Sequence, residues 1–334
     1  MNKHPIVKQH PNGVYQIDAD YIAPGVASVY LIRQNDRLAL IETGTVNTVP
    51  HVLKVIDNLG LTPEHLDYVI PTHVHLDHAA GAGAMLSHCP NARLVVHPRG
   101  APHMINPEKI EAGTRAVYGD EKYERLYGTL IPVAPDKVIE APDNATVDLD
   151  GRTLTFLDTP GHARHHFCVH DDGSNSLFTG DTAGVSYRHF DGKSSDNKSS
   201  DEAPTGEVFW FVTTTPVQFE PDAMRQSIER LLTFKPDYLY LTHYGPVQPT
   251  ERNLAQLFDS LDAFTAIAEA ERATPEGRAE RMADKVMEWL IAQLKQSGST
   301  VPESAARQWL STDATLNAQG MDVWLTRSSQ ARSQ

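Results

Sequence analysis

The sequence predicts an α/β sandwich: two β-sheets packed face to face with helices outside, plus a C-terminal helical appendage. Three observations lead there. Strand-like and helix-like stretches follow one another as strands, helix, strand, loop, helix, and that order runs twice, the second time with a long excursion. After Pro246 the texture changes, with Leu254, Leu257, Leu261 and Phe264, then Met282, Val286, Leu290 and Leu294, at helical spacing. A length of 334 residues suits one large α/β domain with an extension. The expected division is 1–249 for the sandwich and 250–334 for the helical extension.

The elements follow in order. Residues 14–17, 27–32 and 37–41 are β-rich, with hairpin chemistry at Asn12-Gly13 and Asn35-Asp36. Val49, Val52, Leu53, Val55, Ile56 and Leu59 mark a helix that stops at Gly60. A strand at 66–70 leads into a loop at 72–77, a helix at 79–86 and a strand at 94–97. Residues 105–127 read as polar helix, interrupted near Gly113 and Gly119. From 137 to 179 the pattern is β again, at 138–139, 145–147, 153–157, 166–169 and 176–179. The Ser/Asp/Lys-rich stretch 184–206 reads as a surface loop, with a lid beside a site as the alternative. The apolar run 208–217 reads as a buried strand, or else as the lining of an apolar pocket. A helix at 221–233 and a strand at 238–241 complete the sandwich.

Composition narrows the function classes. Apolar residues make up 40% and charged residues 22%, close to a soluble globular average. A net charge of −14 disfavours nucleic acid and anionic membrane as partners. No run of 18 apolar residues suits a membrane span, and the first residues lack a signal peptide's apolar region. Two cysteines, Cys89 and Cys168, suit a reducing compartment, so a cytoplasmic location is expected. Histidine, at 16 residues, stands out.

Thr72-His73-Val74-His75-Leu76-Asp77-His78 places three histidines and a carboxylate directly after a strand. In an extended or turning segment residues two apart share a side, so His73 and His75 can grip one metal. Asp77 and His78 project differently as the chain enters the next helix and can reach a second ion. Such density is hard to explain as packing, because every buried imidazole needs a partner. His162 in Pro160-Gly161-His162, Asp181 in Gly180-Asp181 and His243 in Thr242-His243 each follow another strand. Together these strand ends point to one crevice with ligands enough for two ions, if one carboxylate bridges and a water completes each shell.

The H-x-H-x-D-H core, with Gly161-His162, Gly180-Asp181 and His243 following in that order, resembles the signature of the metallo-β-lactamase superfamily. The resemblance spans roughly residues 10–246 and leaves the helical tail outside. It implies a four-layer αββα sandwich with a dinuclear site at its rim. By the family pattern His73, His75 and His162 hold the first metal, Asp77, His78 and His243 the second, and Asp181 bridges them. The early strand-end position, usually aspartate in this superfamily, is Glu42 here, standing behind the ligands and ordering the metal loop. The commonest zinc β-lactamases use a cysteine ligand, whereas Cys89 and Cys168 fall at no ligand position. The resemblance therefore implies the glyoxalase II and lactonase-like branch, not a true β-lactamase.

The chemistry expected is hydrolysis. Two divalent ions about 3.5–4 Å apart lower the pKa of a shared water towards about 7 and polarise the electrophile. Zinc is the expected metal, with iron or manganese as alternatives. The substrate is expected to be a small ester, thioester or lactone attacked by metal-bound hydroxide, with Asp77 accepting the water's proton while ligating. Tyr244 and Tyr187 are candidate oxyanion donors or substrate contacts, and packing on the core is the plainer reading of each. His166 matches a family position that supports the metal loop, while Arg164 and His165 read as exposed loop. Gly81-Ala82-Gly83 only superficially resembles a dinucleotide fingerprint. Two other readings compete. One is a non-hydrolytic diiron protein that binds oxygen or oxidises a persulfide; the other is a phosphodiesterase of small molecules. The tail's alternating charges read as a solvated face, and the tail itself as a cap over the site or a homodimer contact.

Overall fold

The computed structural model describes residues 5–190, 208–214 and 217–332. Residues 1–4, part of the N-terminal stretch expected to lack a signal peptide's apolar region, and the part of the 184–206 stretch from 191 onward lie outside the described residues.

The chain builds its two sheets in succession. The first holds β1 (Val7–His10), β2 (Val14–Asp18), β3 (Ser28–Gln34), β4 (Arg37–Ile41), β5 (Leu66–Ile70), β6 (Arg93–Val96) and β7 (Val138–Glu140), side by side in that order. It is antiparallel from β1 to β4 and parallel from β4 to β7. The parallel half needs crossovers, supplied by α1 (Val49–Asn58), α2 (Leu76–Ala79), α3 (Ala82–His88), α4 (Ala101–Ile105), α5 (Glu108–Tyr118) and α6 (Asp120–Leu126). The second sheet holds β8 (Thr146–Leu149), β9 (Arg152–Asp158), β10 (Phe167–Asp171), β11 (Ser176–Gly180), β12 (Tyr238–Leu241) and β13 (Gly245–Val247). Its one parallel pair, β11 with β12, is bridged by a crossover containing α7 (Pro221–Leu232). Three helices close the chain: α8 (Glu251–Glu271), α9 (Arg278–Gln296) and α10 (Glu303–Arg332).

Three buried clusters show the layering. Val14, Tyr30, Ile41 and Ile70 of the first sheet meet Phe156, Phe167 and Phe178 of the second. Outside the first sheet, Val52 and Ile56 of α1 and Met85 of α3 pack on Leu31, Leu40 and Val69. Outside the second, α7 shares one cluster with the tail, where Met224 and Ile228 join Leu257, Phe264, Val286, Leu290, Leu310 and Met321. The molecule is therefore the four-layer sandwich with a helical appendage. The tail's core is continuous with the outer layer of the second sheet. A change such as Phe264→Ala would cost about 3–5 kcal/mol across both.

Several details differ from the sequence reading. Residues 105–127 form short helices broken at Gly119, whereas Gly113 lies inside α5. The helix expected from 79 starts earlier, because Leu76, Asp77 and His78 already wind into α2. The run 208–217, of which 215–216 lie outside the described residues, belongs to neither sheet. Phe211 makes a single bridge to Val185. Its alternate backbone N–H groups go to tail side chains instead, those of Val208, Trp210, Val212 and Thr214 donating to Asn253, Gln256, Ser260 and Asn317. Buried backbone donors must be paired, and here helix side chains pair them where a neighbouring strand would. Among the described residues no helix is long and apolar enough to cross a membrane.

Candidate metal centre

The carboxyl ends of β4, β5, β9, β11 and β12 open on one rim of the sandwich, and each hands a side chain to it. Glu42 follows β4; His73, His75, Asp77 and His78 follow β5; His162, Asp181 and His243 follow β9, β11 and β12. Gly180 sits at φ 50°, where a Cβ would overlap Thr72 and His166, so only glycine lets Asp181 approach so closely. Gly161, at φ 133°, runs against the backbone of Met224 in the same way.

Two groups of ligand atoms result: His73, His75, His162 and Asp181, and beside them Asp77, His78 and His243, each gathered within 4.8 Å. In the first, His75 Nδ1 lies 2.8 Å from His73 Nε2 and 3.1 Å from His162 Nε2, which is 3.4 Å from Asp181 Oδ2. In the second, Asp77 Oδ2 is 3.3 Å from His243 Nε2 and 3.6 Å from His78 Nε2. The other oxygen of Asp181, Oδ1, stands 3.4 Å from His78 Nε2 and 3.7 Å from His243 Nε2. The two oxygens of one carboxylate thus face one group each. Ligands about 2.1 Å from a tetrahedral ion lie about 3.4 Å apart, close to most of these spacings. His78 Nε2 and Asp181 Oδ1 are buried with no hydrogen-bond partner, and buried polar atoms are rarely left so. A cation between them would supply what both lack, so the residues present fit a pair of divalent ions.

The surroundings hold these rings in ligating tautomers. Glu42 Oε1 accepts from His78 Nδ1 at 3.0 Å, from Thr72 Oγ1 at 2.6 Å and from Thr242 Oγ1 at 2.9 Å, while Oε2 takes the Thr72 N–H at 3.0 Å. That network explains why Glu42 tolerates a left-handed φ of 62°, which costs a non-glycine residue about 1 kcal/mol or more. His243 Nδ1 donates to the carbonyl of Val26 at 2.7 Å, turning Nε2 inward. His162 Nδ1 lies 3.4 Å from the carbonyl of Thr213. His166 sits between Thr159 and Thr182 on one side and accepts the Asp181 N–H at 3.2 Å on the other.

Electrostatics divide the histidines. Burial first, then neighbouring histidines, hold His73 and His75 well below the usual imidazole range, so both are neutral ligands-in-waiting. Burial likewise lowers His162. For His78 burial pulls down, but Asp181, Asp77 and Glu42 together outweigh it and raise the ring well above its ordinary value. His243 is raised to about 8, burial again being outweighed by Asp181 and Asp77. Burial would raise Asp77, yet His78 and His243 bring it to about 2. Without metal, the second group is therefore an ion-pair cluster whose protons a cation would displace.

The other expected residues divide by location. His165 is not exposed: it is buried, its ring stacked 6.0 Å from His73, and burial with neighbouring His162, His103 and His97 lowers it to about 3. Arg164 beside it is exposed, its Nη2 3.5 Å from Glu220. Cys168 is buried mid-strand, and burial raises its thiol to about 12. The Tyr244 hydroxyl donates to Asp18 Oδ2 at 3.1 Å, at the end of β2, just before the loop that carries Val26. The Tyr187 hydroxyl donates to Asp313 Oδ1 at 2.9 Å, on α10. Sequence reasoning missed Thr72 and Thr242, although each stands directly before a histidine at a strand end, and that repeat was visible. It also missed Thr213, Asp313 and Asn317, for which no local signal exists.

Comparison with known proteins agrees with this geometry. A family model described as the metallo-beta-lactamase superfamily matches residues 22–243. The chain is 29% identical over 252 residues to the metallo-beta-lactamase fold-containing protein ST1585 of Sulfurisphaera tokodaii, covering 73% of this chain and 84% of that one. The crystal structure of ST1585 superposes with a TM-score of 0.59 over 93% of this chain and 98% of that one, at 24% identity. An acyl-coenzyme A thioesterase, MBLAC2 of Gallus gallus, is 28% identical over 51% of this chain and 62% of its own length. A hydroxyacylglutathione hydrolase of Aeromonas salmonicida is 27% identical over 46% of this chain and 45% of its own. The match spans less than two thirds of either of these last two.

Proposed function

We propose, from the premise that the chain belongs to the metallo-beta-lactamase superfamily, that it is a dinuclear metal-dependent hydrolase of a small ester, thioester or lactone. One observation carries the proposal: Asp181 turns one oxygen to each ligand group, and its Oδ1 and His78 Nε2 are buried without hydrogen-bond partners. His73, His75 and His162 would hold one ion, Asp77, His78 and His243 the other, with Asp181 between them. Two divalent ions there supply a nucleophile from water at neutral pH and polarise a carbonyl. Zinc is the metal we propose, because neutral imidazoles and carboxylates in near-tetrahedral spacing suit it.

The chain's own residues do the rest. Glu42 keeps the His78 proton on Nδ1, Val26 keeps that of His243 on Nδ1, and both rings hold their inner nitrogens free. Asp77 has the most open ligand carboxylate, with its side chain 22% exposed. It is placed to take up the proton lost by the attacking water and return it to the leaving group. The names of the thioesterase and hydroxyacylglutathione hydrolase relatives support acyl-group hydrolysis as the reaction class.

The test is metal analysis of the purified protein together with a panel of lactones, thioesters and phosphodiesters, run after loading with zinc, iron or manganese. Two equivalents of metal and cleavage within the acyl substrates are expected. Cleavage confined to phosphodiesters, or none at all with redox-active iron at two per chain, would sink the reading.

A further inference from the structure

The inward stripe of α10 carries an acid with no ionic partner. Ala306, Leu310, Ala314, Ala318, Met321 and Leu325 bury that face against the body. Asp313 projects from the same side of the helix, and its carboxylate accepts from the Tyr187 hydroxyl and from its own backbone N–H, with no cation at ion-pair distance among the described residues. Burial lifts it to about 6, the Tyr187 hydrogen bond and His243 pulling back, so it is still an anion at pH 7. Asp313 is half-buried, and holding a carboxylate with no ionic partner partly out of water is unfavourable unless something answers its charge.

The position of Asp313 says where that answer comes from. Tyr187 belongs to the loop leaving Asp181, and the N–H of Ser186 before it donates to the His243 carbonyl at 2.5 Å. The Ser186 hydroxyl is buried with no partner. Asp313 lies in the electrostatic field of His243, and Tyr187 in that of Asp181 and Asp77. Aromatic rings surround Tyr187: Trp309, one turn earlier on α10 and stacked on His189, lies 6.0 Å from it, and Phe211 lies 6.4 Å from it. An anion among aromatic rings is a combination that binds organic ammonium groups. The chain's charge of −14 would draw such cations towards it.

We propose that Asp313, with Tyr187 and Trp309, forms a subsite beside the metal centre for a cationic group of the substrate, an organic ammonium. It rests on the hydrolase reading for the reaction, though not for the binding. The Tyr187 hydroxyl donates a hydrogen bond to Asp313 and holds the carboxylate in place, and a substrate anionic at that point is repelled.

The test uses three thioesters with one acyl group: the thiocholine ester, its uncharged 3,3-dimethylbutyl counterpart and the 3-mercaptopropionate ester. The metal-loaded wild type should favour the thiocholine ester over the neutral one by about tenfold in kcat/KM, mainly through KM, and disfavour the anionic one. Asp313→Asn should bring the cationic-to-neutral ratio close to one. Tetramethylammonium, titrated by calorimetry, should bind wild type and not the variant, at unchanged metal content. That binding result stands even if no thioester is cleaved, in which case only the hydrolase reading falls. Absence of both preference and binding overturns the subsite. So does a variant that loses turnover equally on all three esters, since Asp313 would then only position Tyr187.

Discussion

Asn317 of α10 grips Thr214 from 103 residues away: its Oδ1 accepts the Thr214 N–H at 2.5 Å, and its carbonyl accepts the Thr214 hydroxyl at 2.9 Å. Both residues are buried. The carbonyl of the preceding residue, Thr213, faces His162 Nδ1. The tail is thereby tied to the first metal group through one peptide.

Asn317→Ala should loosen that tie. Leaving the Thr214 N–H buried and unpaired costs about 1–3 kcal/mol of stability. Affinity for one of the two ions should fall about 10- to 100-fold, the usual effect of removing a ligand's orienting partner. Titration against a chromophoric chelator reads both ions separately. Equal weakening of both, or of neither, would show that Thr213 does not depend on the tail.

Glu42→Gln keeps the shape of the side chain and removes its charge. An amide offers one accepting oxygen where four donors converge, so the His78 ring loses its orienting partner. The second ion should bind about 10- to 100-fold more weakly, while the first is little affected. Metal content after dialysis against graded chelator measures this. Retention of both ions at wild-type affinity would remove Glu42 from the metal loop's support.

The metal-free protein should lose stability as pH rises from about 7.5 to about 8.5. His78 and His243 are raised when folded, so they stabilise the fold fully below the ordinary imidazole pKa of about 6.5, and His243 loses this as pH passes about 8. The depressed histidines, among them His73, His75 and His165, are neutral when folded but still partly protonated when unfolded at about pH 6.5, so they add stability as pH rises to about 7.5 and contribute no slope above it. Metal-loaded protein should not follow this decline, because ions require the deprotonated rings. Thermal melts with and without chelator show it. A metal-free Tm that climbs between about pH 7.5 and 8.5 would contradict the charge assignment of the second group.

Asp181→Ala should abolish stoichiometric binding at both positions, and His75→Ala at the first, with hydrolysis lost in each. His88→Ala, on an exposed helix end, should change neither metal content nor rate. Elemental analysis and steady-state rates on the same preparations decide. Two ions retained in the Asp181 variant would refute a bridging carboxylate.

The metal ligands were legible because their chemistry is concentrated locally. Five strand-like runs each end on a residue type that binds metal or supports a ligand, and His73-Val74-His75-Leu76-Asp77-His78 is too dense in imidazole to be packing. The sandwich was legible from alternation and helical spacing, which are short-range properties of the chain. His165 was misjudged, because nothing in the tripeptide around it says that His73 will stack against it. The run 208–214 was misjudged too, for its apolar pattern is that of a strand. Only the tail decides where its N–H groups go.

What the sequence determined by itself is therefore the fold class, the residues able to hold metal and the chemistry they permit. The tertiary structure alone decided which oxygen of Asp181 faces which group, which partner sets each imidazole's tautomer, and that α10 brings Asp313 and Asn317 to the site. The reason is physical. A ligand's identity is a property of its own side chain, whereas hydrogen-bond partners and buried charges are settled by residues far apart in the chain, 217 positions in the case of His243 and Val26. Those meet only when both sheets and the tail helices have closed on one rim.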